Sequence, residues 1–237
     1  MGTQGHAKDI VVLSGKRTPF GTFGGSLKSF SATDLAVFSS IAAIESAGAD
    51  PSEIDHSFFG NALQTSSDAI YLARHVALRS GVPQESPALT VNRLCGSGFE
   101  AIVQGAKEIL LGGAQLTLCG GSESMSQAPH VVRGARWGQL RLGPAGAGFE
   151  DLLWEALRDS NCDVTMAQTA EELAGRYDVT REEADQVAFR SQQRAKAAWD
   201  GGYFEAEIAP IMTETRKGEQ QFAHDEHLRP DTTLEAL

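Results

Sequence analysis

Short apolar runs alternate with helical patterns along the first 120 residues, and this alternation restricts the fold more than any other feature of the sequence. Each run is rich in β-branched or aromatic residues, whereas each longer stretch repeats its apolar residues at helical spacing. Strands that alternate with helices imply an α/β fold with a largely parallel sheet. The predicted strands cover residues 10–13, 56–59, 88–91 and 115–118, and the predicted helices cover residues 33–47, 69–79 and 96–111.

The pattern changes after residue 121. Residues 122–149 are rich in Gly, Pro and Arg and show little periodicity, and Thr180 with Glu183 forms a capping box at the start of a later helix. We therefore expect two domains, an α/β domain over residues 1–121 and a mainly helical and irregular domain over residues 122–237. In the second domain, helices are predicted at residues 150–159, 166–177 and 181–198, with short strands and loops from residue 207 onward.

The composition argues against several kinds of partner. Of the 237 residues, 41% are hydrophobic and 22% charged, as in an ordinary globular protein. The net charge of −11 disfavours nucleic acid and anionic membranes as partners. No apolar run reaches the roughly 18 residues of a membrane span, and the polar N-terminus does not resemble a signal peptide. The cysteines are sparse and lack metal-ligand spacing, so we expect a cytoplasmic protein without a metal site.

Cys95 has the sequence context of a reactive thiol. It follows the predicted strand 88–91 and precedes Gly96, Ser97, Gly98 and then a helix. Unpaired N–H groups at a helix N-terminus stabilise a thiolate, and backbone N–H groups at such a turn can form an oxyanion hole. From the local sequence alone, however, a small core residue is the commoner interpretation of such a cysteine. Cys119, at the end of an apolar strand, and Cys162, which has no glycine turn, fit that simpler interpretation.

The motif around Cys95 resembles that of the thiolases. VNRLCGSGF at residues 91–99, followed by GGSESMSQAP at residues 120–129, is similar to the first half of acetyl-CoA acetyltransferases and 3-ketoacyl-CoA thiolases. Further motifs in the same order extend the resemblance over the chain. They are RTPFGTFGG at residues 17–25, MAQTAEELA at 166–174, SQQRA at 191–195 and DEHLRP at 225–230.

The resemblance implies a thiolase-like fold half followed by a loop domain that contributes to coenzyme A binding. It makes Cys95 the nucleophile that accepts an acyl group from an acyl-CoA, with its own backbone N–H as an oxyanion donor. Arg229 corresponds to the family's arginine near the CoA adenine and phosphates, and Leu157 and Met166 correspond to residues that line the pantetheine channel. Ordinary core packing is the alternative for these two apolar residues. CoA thioesters are then substrates, and no covalently bound cofactor is expected.

Two departures from the family pattern bear on specificity. Thr165 stands where some biosynthetic members have His, and Ala236 where some have a CoA-binding Ser. Local basic residues are needed to hold polyanionic CoA against the net negative charge, although they can equally form a solvated face. The candidates besides Arg229 are Arg133, Arg136, Arg141, Arg216 and Lys217.

The family's remaining catalytic groups have no counterpart in this sequence. In thiolases a His, an Asn and a second Cys belong to the C-terminal half, and His75, His224 and His227 lie in unrelated contexts. We therefore expect the nucleophile-bearing subunit of a two-chain thiolase, in a dimer or tetramer of such pairs. The alternative is a thiolase remnant without independent activity that has a binding or structural role.

Two other classes remain as alternatives. A ketoacyl synthase would share the fold and the cysteine turn, but the residues around Cys95 and the GGSESMS motif favour a thiolase. A nucleotide-binding α/β protein is disfavoured, because the glycine-rich residues 143–148 follow no predicted strand and match no phosphate-binding fingerprint.

Overall fold

The computed structural model describes residues 9–138, 148–215 and 218–237. The chain forms two compact units, the first made of Met1–Ser126 with Ala206–His224 and the second of Gln127–Glu205 with Asp225–Leu237. The segment Ala206–His224, which the sequence pattern places in the second domain, thus belongs to the first unit. Its hairpin contributes Ile211 to an apolar cluster with Leu27 and Leu35. The assignment of functional domains to residues 1–121 and 122–237 stays a prediction.

A three-stranded parallel sheet forms the centre of the first unit. Strand β1 (His56–Gly60) lies between β2 (Ala88–Val91) and β3 (Thr117–Gly121). Phe58 pairs with Leu89 on one side and with Cys119 on the other. This topology confirms the prediction of an α/β fold with a parallel sheet.

Three helices flank this sheet, and all three were predicted to within one to three residues of their ends. They are α1 (Ala32–Ala47), α2 (Leu72–Arg79, after a 3₁₀ turn at Ala69–Tyr71) and α3 (Ser97–Leu111). Because side chains alternate along a strand, Phe59 and Leu118 pack into the apolar cluster with α1 and α2, whereas Cys119 faces α3. The cluster is formed by Ala32, Ala36, Val37, Ile44, Ile54, Phe59, Leu72, Ala73, Val76, Ala77, Val82 and Leu118.

The helix ends follow the capping residues. Helix α1 begins after Ser31, whose side chain exchanges hydrogen bonds with Asp34, and it ends at Gly48 with φ of 61°. The predicted capping box of Thr180 and Glu183 is present at the start of a later helix. These signals are local, which is why the sequence predicts them well.

The predicted strand at residues 10–13 is wrong. These residues form no strand, and Val11 and Val12 are 69% and 80% exposed. A strand needs a neighbour to pair with, and no described segment pairs with residues 10–13. The nearest regular contact is an isolated parallel bridge between Arg17 and Ile208.

The described part of the second unit consists of helices of 6, 11 and 20 residues, short 3₁₀ turns and two-residue strands. The helix predicted at 150–159 is reduced to α4 (Leu152–Leu157), because its first and last residues form strands instead. None of the residues of the three helices in this unit is buried. The elements after β3 are β4 (His130–Val131), β5 (Glu150–Asp151), α4 (Leu152–Leu157), β6 (Arg158–Asp159), β7 (Val164–Thr165), α5 (Met166–Arg176), α6 (Arg181–Asp200) and, in the first unit, β8 (Ile211–Thr215) with β9 (Gly218–Phe222). Over the described ranges, no helix combines the length and the apolar character needed to cross a bilayer.

Candidate functional site

Cys95 lies in the turn between β2 and α3, as the sequence predicts, and its side chain is exposed. The turn is closed by backbone hydrogen bonds, from Gly96 N to the Arg93 carbonyl (3.0 Å) and from Ser97 N to the Leu94 carbonyl (3.0 Å). Gly96 is the N-cap of α3 and offers no side-chain cap. Cys95 therefore stands next to the positive end of a helix that has no side-chain cap of its own.

Ser97 and Asn92 hold this turn from the inside. The buried Ser97 hydroxyl accepts a hydrogen bond from Arg93 N (2.8 Å) and donates one to the Leu94 carbonyl (2.7 Å). Leu94 has φ of 49°, a left-handed conformation that is unfavourable for a side chain with a Cβ. Asn92 Oδ1 accepts from Leu94 N (2.9 Å), which stabilises that conformation. Sequence reasoning missed both residues, although an Asn two positions before a sharp turn is a recognisable signal.

Glycines let α3 approach the sheet closely. A Cβ atom on Gly60 would lie 2.5 Å from the Ser97 carbonyl carbon, and one on Gly121 would lie 3.2 Å from Gly98 Cα. Further along the helix, a Cβ on Gly105 would lie 2.5 Å from Cys119 Sγ. The start of α3, and with it Cys95, is thereby placed over the carboxyl ends of β1 and β3.

Cys119 is part of this helix–sheet interface. Burial raises the pKa of its thiol above the ordinary value, and hydrogen bonding to Thr117 opposes the shift only partly. It is therefore a poor nucleophile, in agreement with its interpretation as a core residue.

A half-buried carboxylate lies at the same edge of the sheet. Glu123, just after β3, accepts hydrogen bonds from the backbone N–H groups of Ala62 and Leu63 and from Asn61 Nδ2 (3.2 Å). Burial raises the pKa of Glu123 above its ordinary value, while the Ala62 and Leu63 N–H groups act in the opposite direction. Sequence reasoning did not single out this residue, because its partners are about 60 positions away.

Leu157 and Met166 each lie next to one end of the antiparallel β6–β7 ladder. Leu157 is the last residue of α4 and precedes Arg158, and Met166 is the first residue of α5 and follows Thr165, the ladder partner of Arg158. Both side chains are exposed, at 37% and 52%. The alternative interpretation, ordinary core packing, therefore does not apply within the part of the chain that the structure describes.

Arg229 is exposed and lies beside α6, where its backbone N–H donates to Gln192 Oε1 (2.8 Å). Like Leu157 and Met166, it belongs to the second unit, whereas Cys95 belongs to the first. Among the other predicted basic residues, Arg133 forms an ion pair with Glu150 (2.8 Å) and Arg136 is exposed. Arg141, Arg216 and Lys217 lie outside the described residues, as does most of the glycine-rich segment 143–148.

By residue type, the described histidines and acidic residues are candidate metal ligands. His75 lies in α2 with its Nδ1 3.8 Å from Asp68 Oδ2, and it stacks on Tyr71. In the described part of the chain, no three His, Cys, Asp or Glu side chains are grouped so that they could hold a metal ion.

Comparison with known proteins identifies the family of this arrangement. The family profile "Thiolase, N-terminal domain" matches residues 10–237. The human "3-ketoacyl-CoA thiolase, mitochondrial" is 54% identical over 230 residues, which cover 97% of this chain and 57% of the relative. "Beta-ketothiolase BktB" of Cupriavidus necator is 43% identical, with 97% and 58% covered. The chain thus spans a little over half the length of these relatives.

Solved structures agree with this result. The crystal structure of human mitochondrial 3-ketoacyl-CoA thiolase superposes with a TM-score of 0.91 at 54% identity, over 94% of this chain and 56% of that one. The same human enzyme in complex with CoA gives a TM-score of 0.88, over 94% of this chain and 55% of that one. The predicted thiolase-like fold half is therefore confirmed.

Proposed function

Because the chain belongs to the thiolase family, we propose that it is the nucleophile-bearing subunit of a thiolase and that Cys95 accepts the acyl group. The reaction is acyl transfer between an acyl-CoA and acetyl-CoA, or thiolytic cleavage of a 3-ketoacyl-CoA. The observation that carries the proposal is the exposed Cys95 thiol beside the uncapped positive end of α3.

The first chemical step uses groups of this chain. The Cys95 thiolate attacks the thioester carbonyl carbon, and the backbone N–H of Cys95 stabilises the oxyanion that forms. The carbon–sulfur bond to CoA then breaks, CoA leaves as a thiolate that takes up a proton, and the acyl group remains on Cys95 Sγ. Water must stay away from this acyl-enzyme, so the exposed turn requires a cover in the working enzyme.

The second step needs a base, which we assign to a separate chain that carries the C-terminal half. The base removes a proton from Cα of acetyl-CoA, and the resulting carbanion attacks the acyl carbon and releases the Cys95 thiolate. Thiolysis is the same sequence in reverse. We propose that the partner supplies the catalytic His, the Asn and the second Cys, and that such pairs form a dimer or tetramer.

The exposed apolar face of α3 supports the proposal that a second chain binds here. Phe99, Ile102 and Leu110 are 61%, 52% and 55% exposed, and their spacing places them on one side of the helix. Contiguous apolar surface of this kind marks an interface. Since this chain covers only 57% of the human relative, the remaining part of such a thiolase is the occupant that we propose for this face.

Leu157, Met166 and Arg229 are proposed to bind CoA. Leu157 and Met166 offer two exposed apolar side chains for the pantetheine arm, and Arg229 offers a guanidinium group for the phosphates. CoA thioesters are substrates in this proposal, and no covalently bound cofactor is needed. A reducing compartment such as the cytoplasm suits the three free thiols, and the cytoplasmic location stays a prediction.

Reconstitution tests the proposal. The chain is co-expressed with a polypeptide that carries the C-terminal half of a related thiolase, and CoA-dependent cleavage of acetoacetyl-CoA is measured on the purified pair. We expect cleavage by the wild-type pair, its loss in Cys95→Ser, and its retention in Cys162→Ser, which alters a cysteine that is also exposed. An intact pair that cleaves no acetoacetyl-CoA would refute the proposed activity. It would favour the alternative, a thiolase remnant with a binding or structural role.

A further inference from the structure

Three chain segments leave the sheet side by side next to Cys95. Residues 61–63 follow β1, Asn92 follows β2, and Ser122 with Glu123 follows β3. Backbone hydrogen bonds join them directly, from Asn61 N to the Val91 carbonyl (3.1 Å) and from Ser122 N to the Gly60 carbonyl (3.0 Å). The segment after β1 therefore has the segments after β2 and β3 as its two neighbours.

Glu123 fastens the segment after β1. Its two carboxylate oxygens take the N–H groups of Ala62 and Leu63 and one N–H of the Asn61 amide. The same amide of buried Asn61 also donates to the Ser122 carbonyl (3.0 Å). A carboxylate suits this place because it accepts at every lone pair and donates nothing, whereas a glutamine would turn an NH₂ group toward one or more N–H donors.

Asn92 connects the segment after β1 to the cysteine turn through two hydrogen bonds. Its Nδ2 donates to the Ala62 carbonyl (3.2 Å), and its Oδ1 accepts from Leu94 N (2.9 Å). Leu94 precedes Cys95 and has the left-handed φ of 49° that gives the turn its shape. The peptide unit that joins Ala62 to Leu63 is thus held by Glu123 at the Leu63 N–H and by Asn92 at the Ala62 carbonyl.

We propose that Glu123 is a positioning residue for Cys95, which acts through Ala62 and Asn92 to hold the turn at the start of α3. The inference deepens the proposed function and rests on it, because it concerns the residue that accepts the acyl group. Glu123 touches no reacting atom in this scheme. It keeps Cys95 in its place at the N-terminus of α3, where the thiol is exposed to a reactant.

The test measures how fast Cys95 reacts with iodoacetamide relative to Cys162 in the same full-length chain, with both sites quantified by peptide mass spectrometry. Cys162 is also exposed but belongs to the other unit, so it serves as an internal reference. The variants are Glu123→Gln and Asn92→Ala, with Glu85→Gln as the matched control on an exposed loop. All variants are measured at a temperature below the onset of unfolding, and circular dichroism verifies that each variant is folded.

We expect the Cys95-to-Cys162 rate ratio to fall at least about threefold in Glu123→Gln and in Asn92→Ala and to stay unchanged in Glu85→Gln. In the double variant the rate ratio should fall no further than in the more strongly affected single variant, because Glu123 and Asn92 belong to the same series of hydrogen bonds. An unchanged ratio would overturn the inference. A higher ratio would also overturn it, since that is the result if Glu123 were only a nearby negative charge that disfavours the thiolate.

Amide hydrogen exchange of the wild-type chain provides an independent measurement if Glu123→Gln does not fold. The N–H groups of Ala62 and Leu63 should exchange slowly, and exchange as fast as in an open loop would overturn the inference. Neither measurement needs acyl-CoA or a partner chain. If the chain passes both tests but its intact pair with the C-terminal half transfers no acyl group, the proposed function is refuted and the role of Glu123 stands.

Discussion

Gly60 and Ser97 are in such close contact that no larger residue fits at position 60. A Cβ atom there would lie 2.5 Å from the Ser97 carbonyl carbon, 2.6 Å from its oxygen and 2.7 Å from its Cβ. Ser97 is in turn the residue whose hydroxyl bonds to both Arg93 and Leu94 inside the cysteine turn. The geometry of the turn thus depends on how closely β1 and α3 approach each other.

Gly60→Ala should therefore destabilise the first unit by about 2 kcal/mol, because the start of α3 has to move away from the sheet. Urea unfolding followed by circular dichroism measures the change. The matched control is Gly175→Ala in α5, where a Cβ would meet no atom within 4 Å. That variant should unfold at the same or slightly higher urea concentration, since Ala is the better helix former. Equal losses in both variants would contradict the close-contact argument.

Iodoacetamide should modify Cys95 faster than Cys162 and much faster than Cys119. Burial raises the pKa of the Cys119 thiol, and its sulfur lies against α3 at Gly105, so we expect it to react at least about tenfold more slowly at pH 7. Time-resolved peptide mass spectrometry gives the three rates in one experiment. If Cys162 reacts as fast as Cys95 in the assembled protein, Cys95 is not an activated thiol.

Ile102→Asp should weaken association with the proposed C-terminal chain by roughly 30-fold or more, because it places a charge on the apolar face of α3. Titration of the two chains, followed by sedimentation velocity, measures the dissociation constant. Lys107→Asp changes charge on the same helix at an exposed position about 140° away around the axis, and it should have a much smaller effect. Equal weakening by the two substitutions would argue against this face as the interface.

His56 should make the stability of the first unit pH-dependent. It is partly buried on β1 and stacks on Phe58, and burial holds its pKa below the ordinary value of 6.5, while Glu108 opposes the shift. Between the lowered pKa and 6.5 the unfolded chain binds a proton that the folded chain does not, so stability is present above pH 6.5 and is lost as the pH falls through that window.

Urea unfolding at pH values from 5 to 8 checks this expectation. His56→Gln should flatten the pH dependence in that window, and the exposed His227→Gln should retain it. A pH dependence that is unchanged in His56→Gln would assign it to other groups.

Local signals made most of the helices and the strands of the parallel sheet predictable. The helical spacing before Gly48, the capping box of Thr180 with Glu183 and the strand–glycine–helix pattern around Cys95 all depend on residues within a few positions of one another. Such signals persist in any surroundings, so they can be read from the sequence. The strand predicted at residues 10–13 failed because pairing depends on a neighbour, and local periodicity does not supply one.

The sequence by itself therefore determined the parallel α/β order, the thiolase resemblance and the position of Cys95 at a strand-to-helix turn. Only the tertiary structure decided how that turn is held. Gly60 lies 37 positions from Ser97, Glu123 lies about 60 from Ala62, and Asn92 lies 30 from Ala62. These contacts form only when the carboxyl ends of three parallel strands meet at one edge of the sheet, since a short-range pattern contains no information about which distant segments become neighbours.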